Sequence, residues 1–174
     1  MKITTSTTTT TANVSPLLDR KIEETTAGLL ASFADHLRSV STENAETIIE
    51  YIAAMKSEVN LSDNYRKSLI EVLTKFSKYC DNKSFKDLTR ANIIVFLESY
   101  RRTELQDPMH KWIGTYNLFR IHLLRFFKWL YYPDIEPGQR PKPSLVENIA
   151  QLKRRERSIY KPFDYCLRIP KLYG

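Results

Sequence analysis

Turn-forming residues are scarce in this sequence: 174 residues contain four glycines, and the eight prolines gather in a few places. A β-sandwich or barrel needs turn residues at short, regular intervals, so long helices are favoured instead. There are two cysteines, Cys80 and Cys166, too far apart for metal-ligand spacing. They read as two reduced thiols of a cytoplasmic protein rather than a disulfide framework. No apolar run reaches membrane-spanning length. The N-terminus is rich in threonine, not a charged segment followed by an apolar core, so no secretory signal is read. Nothing has the form of a glycine-rich phosphate loop, a zinc site or a hydrolase triad. No cofactor, no metal, no membrane and no small-molecule substrate are therefore expected.

Hydrophobic residues make up 42% of the chain, enough for a core, and the length suits one modest domain with tails. The net charge is +7, and it is unevenly placed. Residues 1–87 hold 11 Lys/Arg against 12 Asp/Glu, whereas residues 88–174 hold 16 against 8. A basic half points to a polyanion partner, with nucleic acid ahead of a membrane surface. Charge alone points to a nucleic acid without choosing between DNA and RNA. The bland alternative is a solvated basic surface.

Along the chain, "TTSTTTTT" (Thr4 to Thr11) has no apolar face, and residues 1–15 read as a disordered tail. Leu18, Ile22, Leu29, Leu30, Phe33 and Leu37 then mark an amphipathic helix over residues 16–42, weakened by Gly28. It has three options: docking on the domain, pairing with another chain, or remaining mobile. Four more regular helices follow within residues 43–132. The first is capped by Ser41 or Thr42, with Ile48, Ile49, Ile52 and Met55 or Val59 as its apolar stripe. The second is capped by Ser62, with Leu69, Val72 or Leu73, and Phe76 inward. The third is capped by Thr89, with Ile93, Phe96, Leu97 and Tyr100 inward. The fourth starts at Thr115, directly after Gly114, ends before Pro133, and is apolar on most faces, so it should be central. Residues 133–174 comprise a stiff proline-rich strap, a short helix capped by Ser144, and a basic tail.

Three features bear on function. "HLLR" within the fourth helix pairs His122 with Arg125. As a catalytic pair these would need an open cleft, a second Arg and a nucleophile. Their neighbours are apolar, so the pair reads as a core-edge His and a surface Arg, with Arg120, Arg125 and Lys128 outside. The second feature is a set of basic helix starts. "SDNYRK" places Asn64, Tyr65, Arg66 and Lys67 in one first turn; "TYNLFR" places Thr115, Tyr116, Asn117 and Arg120 in another. Free N–H groups and the partial positive charge of a helix N-terminus suit phosphates, and hydroxyl, amide and guanidinium groups add hydrogen bonds. Arg101, Arg102 and Lys111 lie nearby in sequence. The third is "KRRER", whose Lys153, Arg154, Arg155 and Arg157 read as a phosphate-tracking tail, a localisation signal or a solvated charge run.

The order of "TIIEYIAAMK", "SDNYRKSLIEVLTKFSKYC", "FKDLTRANIIVFLESY", "GTYNLFRIHLLRFFKWLYYPD" and "VENIAQLKRRERSIYKPFD" resembles the N-terminal core-binding domain of integrase-type tyrosine recombinases. The likeness is strongest to an archaeal branch and covers roughly residues 44–163. It implies an all-α, SAM-like four-helix bundle with a flexible N-terminal extension and a basic C-terminal linker helix. It also implies one half of a clamp around duplex DNA, so double-stranded DNA in a cytoplasmic, nucleoid-associated setting becomes the expected partner. In the family the other half is a catalytic domain carrying two Arg, a Lys and a nucleophilic Tyr that attacks a DNA phosphate. Here "YKPFDY" is followed by "CLRIPKLYG", which leaves no room for that half. Tyr160, Tyr165 and Tyr173 are therefore not read as nucleophiles, and no catalytic residue is expected. The expectation is a DNA-binding domain without its own enzymatic activity, sharing DNA with a full-length recombinase or further copies of itself. The rival is a helical interaction or dimerisation module, with residues 16–40 and the aromatic helix as its surfaces.

Overall fold

The structure is a computed structural model that describes residues 15–153. The Thr4–Thr11 stretch, and Arg154, Arg155 and Arg157 of the basic run, lie outside the described residues. The fold is all-α. Six α-helices occur among the described residues: α1 (Pro16–Thr26), α2 (Ala31–Arg38), α3 (Thr42–Val59), α4 (Asp63–Tyr79), α5 (Arg90–Glu98) and α6 (Trp112–Tyr131), with a short 3-10 turn at Phe85–Asp87.

The local chemistry explains most boundaries. Pro16 opens α1, where its missing N–H is not needed. Ser41 caps α3 by accepting from the Asn44 N–H at 3.4 Å, and Ser62 caps α4 by accepting from the Tyr65 N–H at 3.3 Å. At the start of α5 the roles are shared: Asn92 Oδ1 accepts from the Thr89 N–H at 2.9 Å. α3 ends at Asn60, whose φ of 47° is left-handed.

Helix α6 lies against α3, α4 and α5, while α1 and α2 pack on the α3–α4 side. The apolar stripes meet as expected: Ile48, Ile52, Leu69, Leu73, Phe76, Ile93, Phe96 and Leu97 are buried in one core with Phe119, Leu123, Phe126 and Phe127. Aromatic rings hold its centre, with Phe85 edge-on to Phe126 at 4.9 Å and Tyr51 edge-on to Phe126 at 5.2 Å.

Three expectations are corrected. Residues 16–40 form two helices, not one. Gly28 adopts a φ of 78°, which stops α1, and α2 restarts three residues later. Of the three options for this segment the structure takes docking on the domain: Leu18, Ile22, Ala34 and Leu37 belong to the main core. Its apolar face, the interaction surface of the rival reading, is therefore largely consumed within the domain.

The fourth core helix does not begin at Thr115. It begins at Trp112, whose N–H donates to Asp107 Oδ2 at 2.9 Å, and Gly114 sits inside the first turn. Burial of Ile113 and packing of Trp112 on the core outweigh the glycine.

The helix expected after Ser144 is a single turn. Val146 and Glu147 donate to Pro143 O, and Asn148, with a φ of 54°, ends it. Leu145, Val146 and Ile149 are buried in the core all the same.

Candidate nucleic-acid interface

The two helix starts chosen from sequence have different fates. At α4, Asn64 is exposed and Lys67 half-buried, and Lys67 has no hydrogen-bond or ion-pair partner among the described residues. Arg66 turns the other way. Its guanidinium donates to Thr25 O at 3.2 Å and Ala27 O at 2.8 Å, and pairs with Asp63 at 2.9 Å. It thereby satisfies carbonyls left free at the C-terminal end of α1. Tyr65 lies over the His122 ring at 5.2 Å, and its hydroxyl accepts from Arg125 Nη1 at 2.9 Å.

At α6, most of the expected contacts are engaged internally. Tyr116 is buried. Asn117 forms a two-way pair with Leu152: its Nδ2 donates to the carbonyl at 2.7 Å, and its Oδ1 accepts from the N–H at 3.0 Å. Arg120, expected outside, donates through Nε to Ile149 O at 2.6 Å. Arg90 likewise donates to Glu147 O and Asn148 O. These side chains supply the partners that the backbone after Pro143 lacks because it forms no helix. Arg101 pairs with Glu98, and Arg102 donates to Ser99 O at 3.3 Å. Lys111 and Lys153 are exposed, and Thr115 is half-buried.

What α6 and its N-cap turn outward is a set at helical spacing that overlaps the sequence candidates at Lys111: Lys111, Leu118, Ile121, Arg125 and Lys128. Leu118 is 46% and Ile121 37% exposed, although both were expected among the central apolar residues. α4 runs antiparallel beside it. Tyr65 meets Arg125 at one end, and Lys75 Nζ lies 5.9 Å from the Phe119 ring further along. Beyond its first residue, Asp63, which is exposed and paired with Arg66, α4 turns outward Asn64, Lys67, Ser68, Glu71, Lys75 and Lys78, with Tyr79 at its end. Glu71, the only acid in these two sets, is neutralised by Lys75 at 2.6 Å. The opposite side of the charge balance lies earlier: residues 16–59 hold four Lys/Arg against eight Asp/Glu, residues 60–153 sixteen against ten. Glu43, Glu46 and Glu50 are exposed on α3. Ser68, Arg125 and Lys128 were not among the sequence candidates. Their signal was the outward spacing along α4 and α6; that spacing puts Arg125 and Lys128 outside but assigns them no contact.

His122 belongs to the core rather than its edge. It is 1% exposed and neither ring nitrogen has a partner among the described residues. Burial, with the nearby Arg125 charge adding to it, pushes its pKa down to about 4 from 6.5. The imidazole is therefore not presented to a phosphate. The unfolded chain takes up a proton that the folded chain refuses, so stability should fall as pH drops from about 6.5 towards about 4. Urea titrations across that window should show a shallower pH slope for His122→Leu than for the parent.

Comparison with protein-family models, with curated proteins and with solved structures finds no match for this chain. Among the described residues, no helix is long and apolar enough to cross a membrane.

Proposed function

We propose that this chain binds duplex DNA through the α4–α6 face, as a SAM-like core-binding domain of the integrase-type recombinase kind, in a nucleoid-associated setting. The role is binding, with strand cleavage left to other chains. The observation that carries the reading is the pair of antiparallel helices whose outward residues are mostly cationic or polar, with Leu118 and Ile121 among them, set against an acidic α1–α3 side. Lys67, Lys78, Lys111 and Lys128 have no acidic partner among the described residues. Phosphates supply that partner, and the counterions they release drive association. At 1.5 Å per residue, α4 presents a row about 25 Å long, on the order of seven base pairs at 3.4 Å each. Asn64, Ser68 and Thr115 add hydrogen-bonding groups beside the charges, and Leu118 and Ile121 suit thymine methyl groups.

The test is fluorescence anisotropy of a labelled duplex across a salt series. Affinity should fall log-linearly with salt. The variant Lys67→Glu/Lys111→Glu/Lys128→Glu should bind at least about tenfold more weakly, with its salt slope reduced by roughly three. An unchanged affinity and slope would remove this face from the proposal. Arg66→Glu or Arg120→Glu would be poor probes, because both side chains hold backbone carbonyls of their own domain.

A further inference from the structure

A groove of about 550 Å³ opens between α3, the start of α4, the second half of α6 and the strap at residues 137–140. Its walls are apolar, from Met55, Val59, Ile121, Leu124 and Pro137. Its charges do not balance. Glu58 is the one carboxylate in the lining, and it is already taken by Arg140, at 3.0 and 2.5 Å. Arg125 and Lys128 remain at the rim. Arg125 uses one amine on the Tyr65 hydroxyl, and Lys128 has no partner among the described residues.

A second, independent observation lies at the floor. Tyr51 is fully buried, lines the groove, and has a hydroxyl without a hydrogen-bond partner among the described residues. Tyr51 shares the groove lining with Tyr65, Glu58, Arg125 and Arg140. Buried hydroxyls are nearly always paired in folded proteins. The volume falls in the range of sites for small organic molecules, and apolar walls with a few placed polar groups are the usual composition of such sites.

We propose that this groove binds a small amphiphilic acid. Its apolar body lies against Met55, Ile121 and Leu124, and its anionic group sits between Arg125 and Lys128. The site does not rest on the DNA reading, and its test contains no DNA.

The probe is 8-anilino-1-naphthalenesulfonate, titrated against the intact chain by fluorescence. N-phenyl-1-naphthylamine, which has the same rings without the sulfonate, is the neutral control. Two variants address the two halves of the ligand. Arg125→Gln/Lys128→Gln removes the cations. Gly138→Trp places a bulky side chain in the groove's lining: a Cβ there meets nothing within 4 Å, so the backbone accepts it. Circular dichroism checks that both are folded. We expect one-to-one saturable binding of the sulfonate, at least about tenfold weaker for the neutral control and for the double variant, and lost in Gly138→Trp. The proposal is overturned by absence of saturable binding, by binding indifferent to Gly138→Trp, or by equal affinity for the neutral control.

Discussion

Arg140→Met should lower the unfolding free energy by about 3–5 kcal/mol, as expected when one member of a buried ion pair is removed. Nothing in the composition of "PGQRPKP" marks this arginine. Its side chain is 5% exposed and that of Glu58 20%. Its guanidinium makes two bonds to the Glu58 carboxylate, and also donates to Tyr132 O at 3.0 Å and Pro133 O at 3.2 Å. One side chain therefore ties the end of α6, the strap and the C-terminal end of α3 together. Removing it strands the largely buried Glu58 carboxylate and two carbonyls. The pair itself contributes less than the loss of one member suggests, since desolvating both charges opposes their attraction. Glu58→Met with Arg140→Met should accordingly recover much of the loss. Urea denaturation of the parent, the two single variants and the double variant gives the coupling directly. A loss under about 1 kcal/mol for Arg140→Met would mean that the clasp is solvated like a surface pair.

Asn44→Leu should cost about 2–4 kcal/mol, because each buried group left without a partner forfeits about 1–3 kcal/mol. Asn44 is fully buried within the first turn of α3. Its Nδ2 donates to Ser77 Oγ at 2.8 Å and to Lys83 O at 2.9 Å, and its Oδ1 accepts from the Phe85 N–H at 3.3 Å. It thus joins the start of α3 to the end of α4 and to the turn that delivers Phe85 into the core. Leucine matches its size but answers none of the three groups: Lys83 O and the Phe85 N–H lose this partner, while Ser77 Oγ still donates to Asn82 Oδ1 at 3.0 Å. The check is the denaturation midpoint, with an unchanged slope as the sign that the native fold is retained. A neutral outcome would show that water replaces the amide.

Neither Asn44 nor Arg140 is among the residues assigned to DNA, although Arg140 lines the groove beside Ile121, Arg125 and Lys128; its guanidinium is turned to Glu58 and to backbone carbonyls. A variant destabilised through Arg140 or Asn44 but still folded should retain its DNA affinity. The triple Glu variant should lose affinity and keep its stability. That crossed pattern distinguishes a binding surface from a merely soluble one.

The apolar periodicities of α3, α4 and α5 were legible because each helix buries one stripe, and a period of 3.6 residues is written directly in Ile48–Ile52, Leu69–Phe76 and Ile93–Leu97. Serine caps before α3 and α4 were legible for the same local reason. The start of α6 was not, because its capping acid, Asp107, acts from five residues upstream of Trp112 across a loop. The break at Gly28 left only a weak trace in the pattern, since one glycine within a helix costs merely about 1 kcal/mol and does not by itself end it.

Among the candidate binding residues, Asn64, Lys67, Lys111 and Thr115 could be chosen from spacing alone, and they lie on the proposed face. Arg66, Asn117 and Arg120 have the same chemistry and similar positions, yet they serve the backbone of residues 25–27 and 149–152. Sequence by itself determined that this chain is helical, where its main apolar stripes lie, and that its later part is basic: these depend on residue type and local period. Only the tertiary structure decided which cations stay free. An unpaired carbonyl on a packed segment takes the nearest donor, and which donor is nearest depends on how the strap and α1 fold back onto the bundle.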